Sequence, residues 1–187
     1  MKELFYKYKY NLEKALNDSV LKELESLCKA LELVWENNNN FFICGNGGSA
    51  GNANHIANDF LYGVASNTIK PGMKVESLSS NTAVVTCLAN DIGYENVYSE
   101  QVKVKGSKDD LLLILSGSGN SQNVINALNV ANEIGMHTFA ILGYDGGKCK
   151  QIAKNIIHFK INDMQISEDL QLVAMHMCMQ WLYNKSG

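Results

Sequence analysis

Five short apolar runs, separated by longer segments with helical spacing, constrain this chain more than any other feature of its sequence. In chain order the runs are "FFICG", "KVESL", "DLLLILSG", "HTFAILG" and "IIHFKI". Most of them are apolar at successive positions, which is typical of parallel strands whose two faces are both covered by helices. We therefore predict an α/β fold with a doubly wound parallel sheet.

The segments around these runs have the spacing of helices. Apolar residues recur every three or four positions from Leu4 to about Trp35, which predicts a long helical segment or a helical pair before the first strand. Later helices are expected over 49–61, 81–90, 120–134 and 168–183. Ser167, which precedes two acids, is the expected cap of the last one. Because no linker interrupts the chain, a single domain over 1–187 is expected.

Charge and cysteine content exclude several classes of function. The net charge is −3 and basic residues form no stripe, so nucleic acid is not the expected partner. The N-terminus is charged, and no window approaches the roughly 18 apolar residues of a membrane span. The five cysteines are scattered and never form a CxxC pair, so they are expected to be small buried residues. These features predict a soluble, cytoplasmic protein.

Two of the predicted strands end in turns rich in glycine and serine. "CGNGGSA" follows the first strand and "LSGSGNS", which spans 115–121, follows the third. Such turns lie at the carboxyl ends of parallel strands, where backbone N–H groups and serine hydroxyls can surround an anion. A single turn of this kind is as compatible with a purely structural role, as a tight turn or helix cap, as with anion binding, whereas two together favour phosphate binding.

A dinucleotide site is the competing interpretation of the first turn. Gly45, Gly47 and Ala50 match the glycine fingerprint of such sites. That fingerprint requires an acid at the end of the next strand, about 20 residues further on. The nearest candidate, Glu76, lies too far along the chain and within its strand. A dinucleotide would also leave the second turn unexplained.

Two pairs of polar residues on predicted helices are candidates for metal binding or acid–base chemistry. His55 and Asp59 are four residues apart and share one helix face. Glu168 and His176 lie eight residues apart on the last helix. Each group also has a structural interpretation, as a surface carboxylate, a helix-start acid or a hydrogen-bonded core histidine.

The combined pattern of motifs resembles the phosphoheptose isomerases, which are D-sedoheptulose 7-phosphate isomerases with a sugar isomerase (SIS) fold. The elements that carry the resemblance are "CGNGGSA", His55 with an acid four residues on, "AND" at 89–91, "SGSGNS", and His176 four residues before Gln180. They span nearly the whole chain in the same order. The resemblance implies a flavodoxin-like sheet, a homotetramer, and active sites where subunits meet.

The resemblance also assigns roles by position. It implies substrate contacts at Asn46, Gly47, Gly48, Ser49, Asn90, Asp91, Ser116, Gly117, Ser118, Ser121 and Glu168. It implies metal and acid–base roles at His55, Asp59, Glu168 and His176, where the usual residues of the family are His, Glu, Gln and His. Asp59 and Glu168 therefore depart from the family pattern, and Gly117 replaces a threonine.

The implied activity is conversion of sedoheptulose 7-phosphate to D-glycero-D-manno-heptose 7-phosphate for cell-surface polysaccharide (lipopolysaccharide or capsule) synthesis. A base must move a proton between C1 and C2, and His176 suits this because imidazole exchanges protons near neutral pH. Asp59 or Glu168 would be the partner carboxylate. Alternatives are an isomerase of another phosphosugar and a non-catalytic SIS-fold binding or regulatory protein.

A divalent metal, with zinc as the first candidate, is the expected cofactor. Two imidazoles and two carboxylates, from His55, Asp59, Glu168 and His176, make a reasonable tetrahedral shell. The competing hypothesis is a metal-free site, in which the shorter Asp59 does not reach and the carboxylates with His176 form a hydrogen-bonded acid–base set.

Overall fold

The computed structural model describes residues 1–66 and 68–186, and within them the chain forms five strands. These are β1 (Asn40–Gly45), β2 (Lys74–Ser77), β3 (Leu111–Ser116), β4 (His137–Leu142) and β5 (Asn155–His158). All neighbouring strands pair in parallel, in the order β2-β1-β3-β4-β5. This order is that of the flavodoxin-like doubly wound sheet, so the predicted fold class is confirmed.

Eight α-helices surround the sheet in the described part of the chain, together with short 3-10 turns. They are α1 (Lys2–Ala15), α2 (Leu21–Glu36), α3 (Gly48–Leu61), α4 (Thr82–Ile92), α5 (Ser99–Lys105), α6 (Gln122–Ile134), α7 (Cys149–Ile152) and α8 (Met164–Ser186). The N-terminal segment is thus a helical pair, and α5 was not predicted. None of the described helices combines the length and the apolar character that a bilayer crossing requires.

The predicted start of the last helix is wrong. α8 begins at Met164, so Ser167 lies inside its first turn. The cap is supplied by Asp163, whose Oδ1 accepts the Ile166 N–H at 3.1 Å. The Ser167 hydroxyl instead donates to the Asp163 carbonyl at 2.7 Å, so the serine already belongs to the helix. An aspartate cap satisfies the same backbone donors as a serine cap, and the sequence offers both.

The continuous apolar strands are explained by two cores, one on each face of the sheet. Along β3, Leu111, Leu113 and Leu115 belong to the core that also contains residues of α2, α3 and α8. Leu112 and Ile114 belong to the opposite core, with residues of α5 and α6. Successive residues of a strand point to opposite faces, so both faces must be apolar when both are covered.

The expectation that the cysteines are buried holds for four of the five. Cys28, Cys44, Cys149 and Cys178 are buried, whereas Cys87 is exposed. Cys87 lies on α4, a helix that has no buried residue. The apolar sequence of α4 therefore does not indicate that its residues are buried.

Candidate functional site

A cavity of about 310 Å³ lies where the loops after β1 and β3 meet. These strands are neighbours, with Gly45 opposite Leu115, so the two predicted turns leave the sheet side by side. The residues that line the cavity are Asn46, Gly47, Gly48, Ser49, Leu115, Ser116, Gly117, Ser118, Ser121, Met164 and Glu168. The structure therefore brings together all the predicted substrate contacts except Asn90 and Asp91.

The segment 115–121 at the end of β3, called the serine turn from here on, is arranged to donate hydrogen bonds. Ser116 Oγ accepts the Gly119 N–H at 3.0 Å, and Ser118 Oγ accepts the Asn120 N–H at 3.3 Å. A hydroxyl oxygen that accepts a bond from the backbone keeps its own hydrogen for another partner. Ser121 occupies the N-cap position of α6 but makes no side-chain capping bond. Three hydroxyls and a helix N-terminus are thus available to one anion.

The two turns beside this cavity each need a glycine with a positive φ. Gly47 has a φ of +56°, a conformation that side chains with a Cβ rarely adopt. Gly119, with a φ of +66°, packs so closely that a Cβ there would lie 2.1 Å from the Gly146 carbonyl oxygen. The first glycine lets the chain turn from β1 into α3, and the second holds the serine turn against the loop after β4.

The Glu168 side chain reaches from α8 to the first residue of α3. A Cβ built on Gly48 would lie 2.4 Å from Glu168 Oε1 and 2.5 Å from Oε2, so only glycine leaves room for the carboxylate. Among the residues that line the cavity in the described part of the chain, Glu168 is the only titratable one. Its carboxylate faces the space between the two turns.

Three of the four predicted metal ligands form a cluster where α3 and α8 touch: His55, Asp59 and His176. The two Nε2 atoms are 3.0 Å apart. Asp59 Oδ2 lies 3.4 Å from the His55 Nε2 and 3.3 Å from the His176 Nε2. Zinc bonds nitrogen and oxygen at about 2.0–2.1 Å, which places neighbouring tetrahedral ligands roughly 3.3 Å apart. The cluster therefore has the dimensions of a tetrahedral metal site, and Asp59 reaches it despite its shorter side chain.

Glu168 does not belong to this cluster, contrary to the predicted four-ligand shell. Its position on α8 is eight residues before His176, which corresponds to about 12 Å along a helix. The carboxylate is instead directed at Gly48 and the serine turn. The structure thus separates a possible His–Asp–His metal site from a carboxylate that faces the cavity.

Asn90 and Asp91 lie at the exposed end of α4 and do not line the cavity. The Asn90 side chain donates to Asp91 Oδ1 at 2.8 Å. Asp91 also accepts from the Cys87 thiol at 3.5 Å, and this contact raises the pKa of Cys87. A role for these two residues in substrate binding stays a prediction.

Several residues that hydrogen-bond to the lining of the cavity, or to each other beside it, were not predicted from the sequence. Gln171 is 1% exposed and donates to Ser49 Oγ at 3.0 Å. Asn52 donates to Gln171 Oε1 and to the Glu168 carbonyl, both at 3.0 Å, and so ties α3 to α8. Asn123 and Tyr94 bond to the Asn46 side chain. The sequence signal that could have identified Gln171 is its place between two leucines, one helical turn after Glu168.

Comparison with known proteins gives a consistent result. A family model described as "SIS domain" matches residues 5–143. A phosphoheptose isomerase of Helicobacter pylori strain P12 is 35% identical over 174 residues, which cover 92% of this chain and 88% of the relative.

Solved structures agree. A phosphoheptose isomerase from Neisseria gonorrhoeae has a TM-score of 0.79 and 29% identity, covering 95% of this chain and 91% of the other. One from Francisella tularensis has a TM-score of 0.86 over 98% of this chain and 96% of the other; at 21% identity, it shows likeness of fold.

Proposed function

The chain belongs to the phosphoheptose isomerases of the SIS domain family, and from this premise we propose that it converts sedoheptulose 7-phosphate to D-glycero-D-manno-heptose 7-phosphate. The observation that carries the proposal is the cavity in which the serine turn and the Glu168 carboxylate face the same space. A phosphosugar isomerase needs both features, since one holds the phosphate and the other can move a proton.

The phosphate is proposed to bind in the serine turn. The Ser116 and Ser118 oxygens are already occupied as acceptors, so these hydroxyls have hydrogens to donate. Ser121 and the N-terminus of α6 add further donors. Gly117, which replaces a threonine of the family, still offers its backbone N–H. This arrangement suits a dianionic group and anchors the end of the sugar that does not react.

Glu168 is proposed as the base that transfers the proton. Isomerisation breaks a C1–H bond of the open-chain ketose and forms a C2–H bond of the aldose, while the O1 proton is lost and O2 gains one. One carboxylate can take the proton from C1 of the ketose, which gives the enediol, and then deliver a proton to C2, while the proton that O1 loses balances the one that O2 gains. Glu168 is the titratable side chain of the cavity, whereas the Nε2 atoms of His55 and His176 lie close to each other and to Asp59.

We propose that a divalent metal, with zinc as the first candidate, binds to the cluster of His55, Asp59 and His176. The fit rests on the spacing of the three ligand atoms and on their chemistry, two imidazoles and a carboxylate. When bound, such an ion would supply Lewis-acid polarisation of a substrate oxygen. The side chains of His55 and His176 are 49% and 42% exposed, so the cluster is open to a ligand from outside.

We further propose that the chain is one SIS domain that works as a homotetramer in the cytoplasm and serves surface polysaccharide synthesis. The helical pair supports the assembly, because Leu4, Phe5, Tyr6 and Tyr10 of α1 are each more than half exposed. Exposed apolar and aromatic side chains in such number are typically covered by another subunit. Subunit contact would also bring further residues to the exposed metal cluster.

Turnover of ketose phosphates with five, six and seven carbons tests the substrate assignment. The proposal predicts the highest kcat/KM for sedoheptulose 7-phosphate, and equal turnover of all chain lengths would contradict it. Binding of the seven-carbon substrate without turnover would instead support the non-catalytic alternative.

Substitution of Glu168 tests the assignment of the base. Glu168→Gln preserves shape and should lower kcat by about 10²–10⁴-fold, the usual contribution of a general base. Glu133→Gln, an equivalent change at an exposed position of α6, is the control and should have no effect. If Glu168→Gln keeps the full rate, Glu168 is not the base, and proton transfer must involve His176 with Asp59.

Elemental analysis of protein purified without chelator tests the metal assignment. Zinc should copurify, and Asp59→Asn should weaken zinc binding by more than about 100-fold. Loss of a residue that only hydrogen-bonds to a metal ligand already lowers metal affinity by about 10–100-fold. Asp18→Asn, at an exposed position outside the cluster, is the matched control. If no metal copurifies, none restores activity after chelation, and His55→Ala leaves turnover intact, the metal assignment is wrong.

A further inference from the structure

The side chain of Asn46, which lines the cavity, is paired edge to edge with that of Asn123. Asn46 Nδ2 donates to Asn123 Oδ1 at 2.9 Å, and Asn123 Nδ2 donates to Asn46 Oδ1 at 2.9 Å. Asn123 is 2% exposed and lies in the first turn of α6, so one amide of the pair is fixed in the protein interior. A reciprocal amide pair by itself would allow both side chains to turn over together.

The backbone removes this ambiguity. The Val124 N–H donates to Asn123 Oδ1 at 2.9 Å. A backbone N–H can only donate, so the atom it meets must be the oxygen of Asn123. The Asn123 nitrogen must then face Asn46, and the Asn46 atom opposite it must be Oδ1. The orientation of the Asn46 amide therefore follows from the position of one peptide group.

Tyr94 completes the set of bonds to Asn46. Its hydroxyl lies 2.8 Å from Asn46 Oδ1, and since that atom is an acceptor, the tyrosine donates. Tyr98 also approaches the oxygen, at 3.4 Å, but its hydroxyl donates to the Gly45 carbonyl. A carbonyl oxygen has two lone pairs, and Asn123 with Tyr94 occupy both. What remains of the Asn46 side chain is one N–H on Nδ2.

We propose that Asn123 and Tyr94 are positioning residues that force Asn46 to act toward the substrate only as an N–H donor. The partner is an oxygen of the open-chain ketose, most simply the carbonyl oxygen on which charge develops as the C1 proton leaves. A fixed donor aimed at developing charge stabilises the transition state more than the ground state. This inference rests on the proposed function and adds a residue set that orients the reacting end of the sugar.

The orientation should be visible as a loss of kcat with little change in KM. Asn46→Ala removes the donor and should lower kcat by about 10²-fold or more. Tyr94→Phe leaves the amide pair but removes one bond to Oδ1, and should lower kcat about fivefold. Asn123→Leu should have an effect close to that of Asn46→Ala. Tyr62→Phe, a 74%-exposed tyrosine, is the control and should leave kcat unchanged.

A double-mutant cycle tests whether Tyr94 acts through Asn46. In the Asn46→Ala background, Tyr94→Phe should change kcat by less than about twofold, because its target is absent. A fivefold loss in both backgrounds would overturn the proposal, since Tyr94 would then act independently. Tyr94 is 51% exposed, so the phenylalanine variant should fold even if the buried Asn123→Leu variant does not.

Hydrogen exchange of the Asn46 side-chain amide, measured by NMR on nitrogen-15-labelled protein, reports the orientation of this amide and does not require turnover. The two Asn46 amide hydrogens should exchange at different rates, the one bonded to Asn123 being slow, and Tyr94→Phe, which leaves this bond in place, should preserve the difference. Equal, fast exchange in the wild type would overturn the inference. If the wild type does not isomerise sedoheptulose 7-phosphate but shows the slow hydrogen, the proposed function fails while the orientation of Asn46 stands.

Discussion

Replacement of Gly48 by alanine should separate catalysis from stability. The new Cβ would lie 2.4 Å from Glu168 Oε1, whereas ordinary contact begins at 3.4 Å, so the carboxylate must retreat by roughly 1 Å. A misplacement of about 1 Å can cost about 100-fold in rate when a reacting group must be aligned. We therefore expect kcat of Gly48→Ala to fall by about two orders of magnitude.

The same substitution should not weaken the fold. The obstacle is the end of a flexible side chain, which can move, and alanine is favoured over glycine by about 1 kcal/mol in helix interiors, so no loss of helix stability is expected at the first residue of α3. Gly51→Ala is the matched control, because it lies on the same helix and a Cβ there meets no atom within 4 Å. Initial rates with sedoheptulose 7-phosphate and urea unfolding should be measured on both variants.

The two variants together show whether the position of the Glu168 carboxylate matters for catalysis. The account predicts that both keep or gain free energy of unfolding and that only Gly48→Ala loses activity. If Gly48→Ala keeps the wild-type kcat, the position of the Glu168 carboxylate does not matter and its role as base is refuted. If Gly51→Ala loses as much activity, the effect comes from the backbone of α3 and not from Glu168.

Three further predictions concern the phosphate, the assembly and the thiols. Ser118→Ala should raise KM about tenfold, since a hydrogen bond to a charged group contributes about 1.5–3 kcal/mol; an unchanged KM would place the phosphate elsewhere. Isolated subunits should be inactive, and a monomer by light scattering with full activity would refute this. Burial raises the pKa of Cys149 from 9.0 to about 11. Because the unfolded thiol ionises first, the free energy of unfolding should decline as pH rises between these values. Urea titrations should show a shallower decline in Cys149→Ala, and an identical slope would contradict this.

The features that could be predicted from sequence are those set by local pattern. "FFICG" and "DLLLILSG" identify buried parallel strands, and their glycine and serine turns therefore meet at one edge of the sheet. His55 and Asp59 share a helix face because they are four residues apart. The fold class and the cavity follow from these relations together with the family resemblance.

The features that could not be predicted depend on contacts between distant segments. Glu168 turns toward Gly48, and not toward His176 on its own helix, because α3 begins beside it. The pairing of Asn46 with Asn123 joins positions 77 residues apart. Ser167 was a reasonable cap by type, but Asp163 lies where the chain enters the helix. Residue spacing within one helix does not specify which neighbouring element a side chain meets.

The central claim is that this protein isomerises a seven-carbon ketose phosphate through proton transfer at Glu168. The direct measurement is incubation of sedoheptulose 7-phosphate in deuterated water with wild-type protein and with Glu168→Gln, followed by NMR. With the wild type we expect an aldose heptose phosphate that carries deuterium at C2 in the fraction of turnovers in which protonated Glu168 exchanges with solvent, and with the variant neither product nor exchange at a comparable rate. Two results would contradict the claim: no conversion of the substrate by wild-type protein at a concentration equal to that of the substrate, or equal amounts of product from wild type and variant.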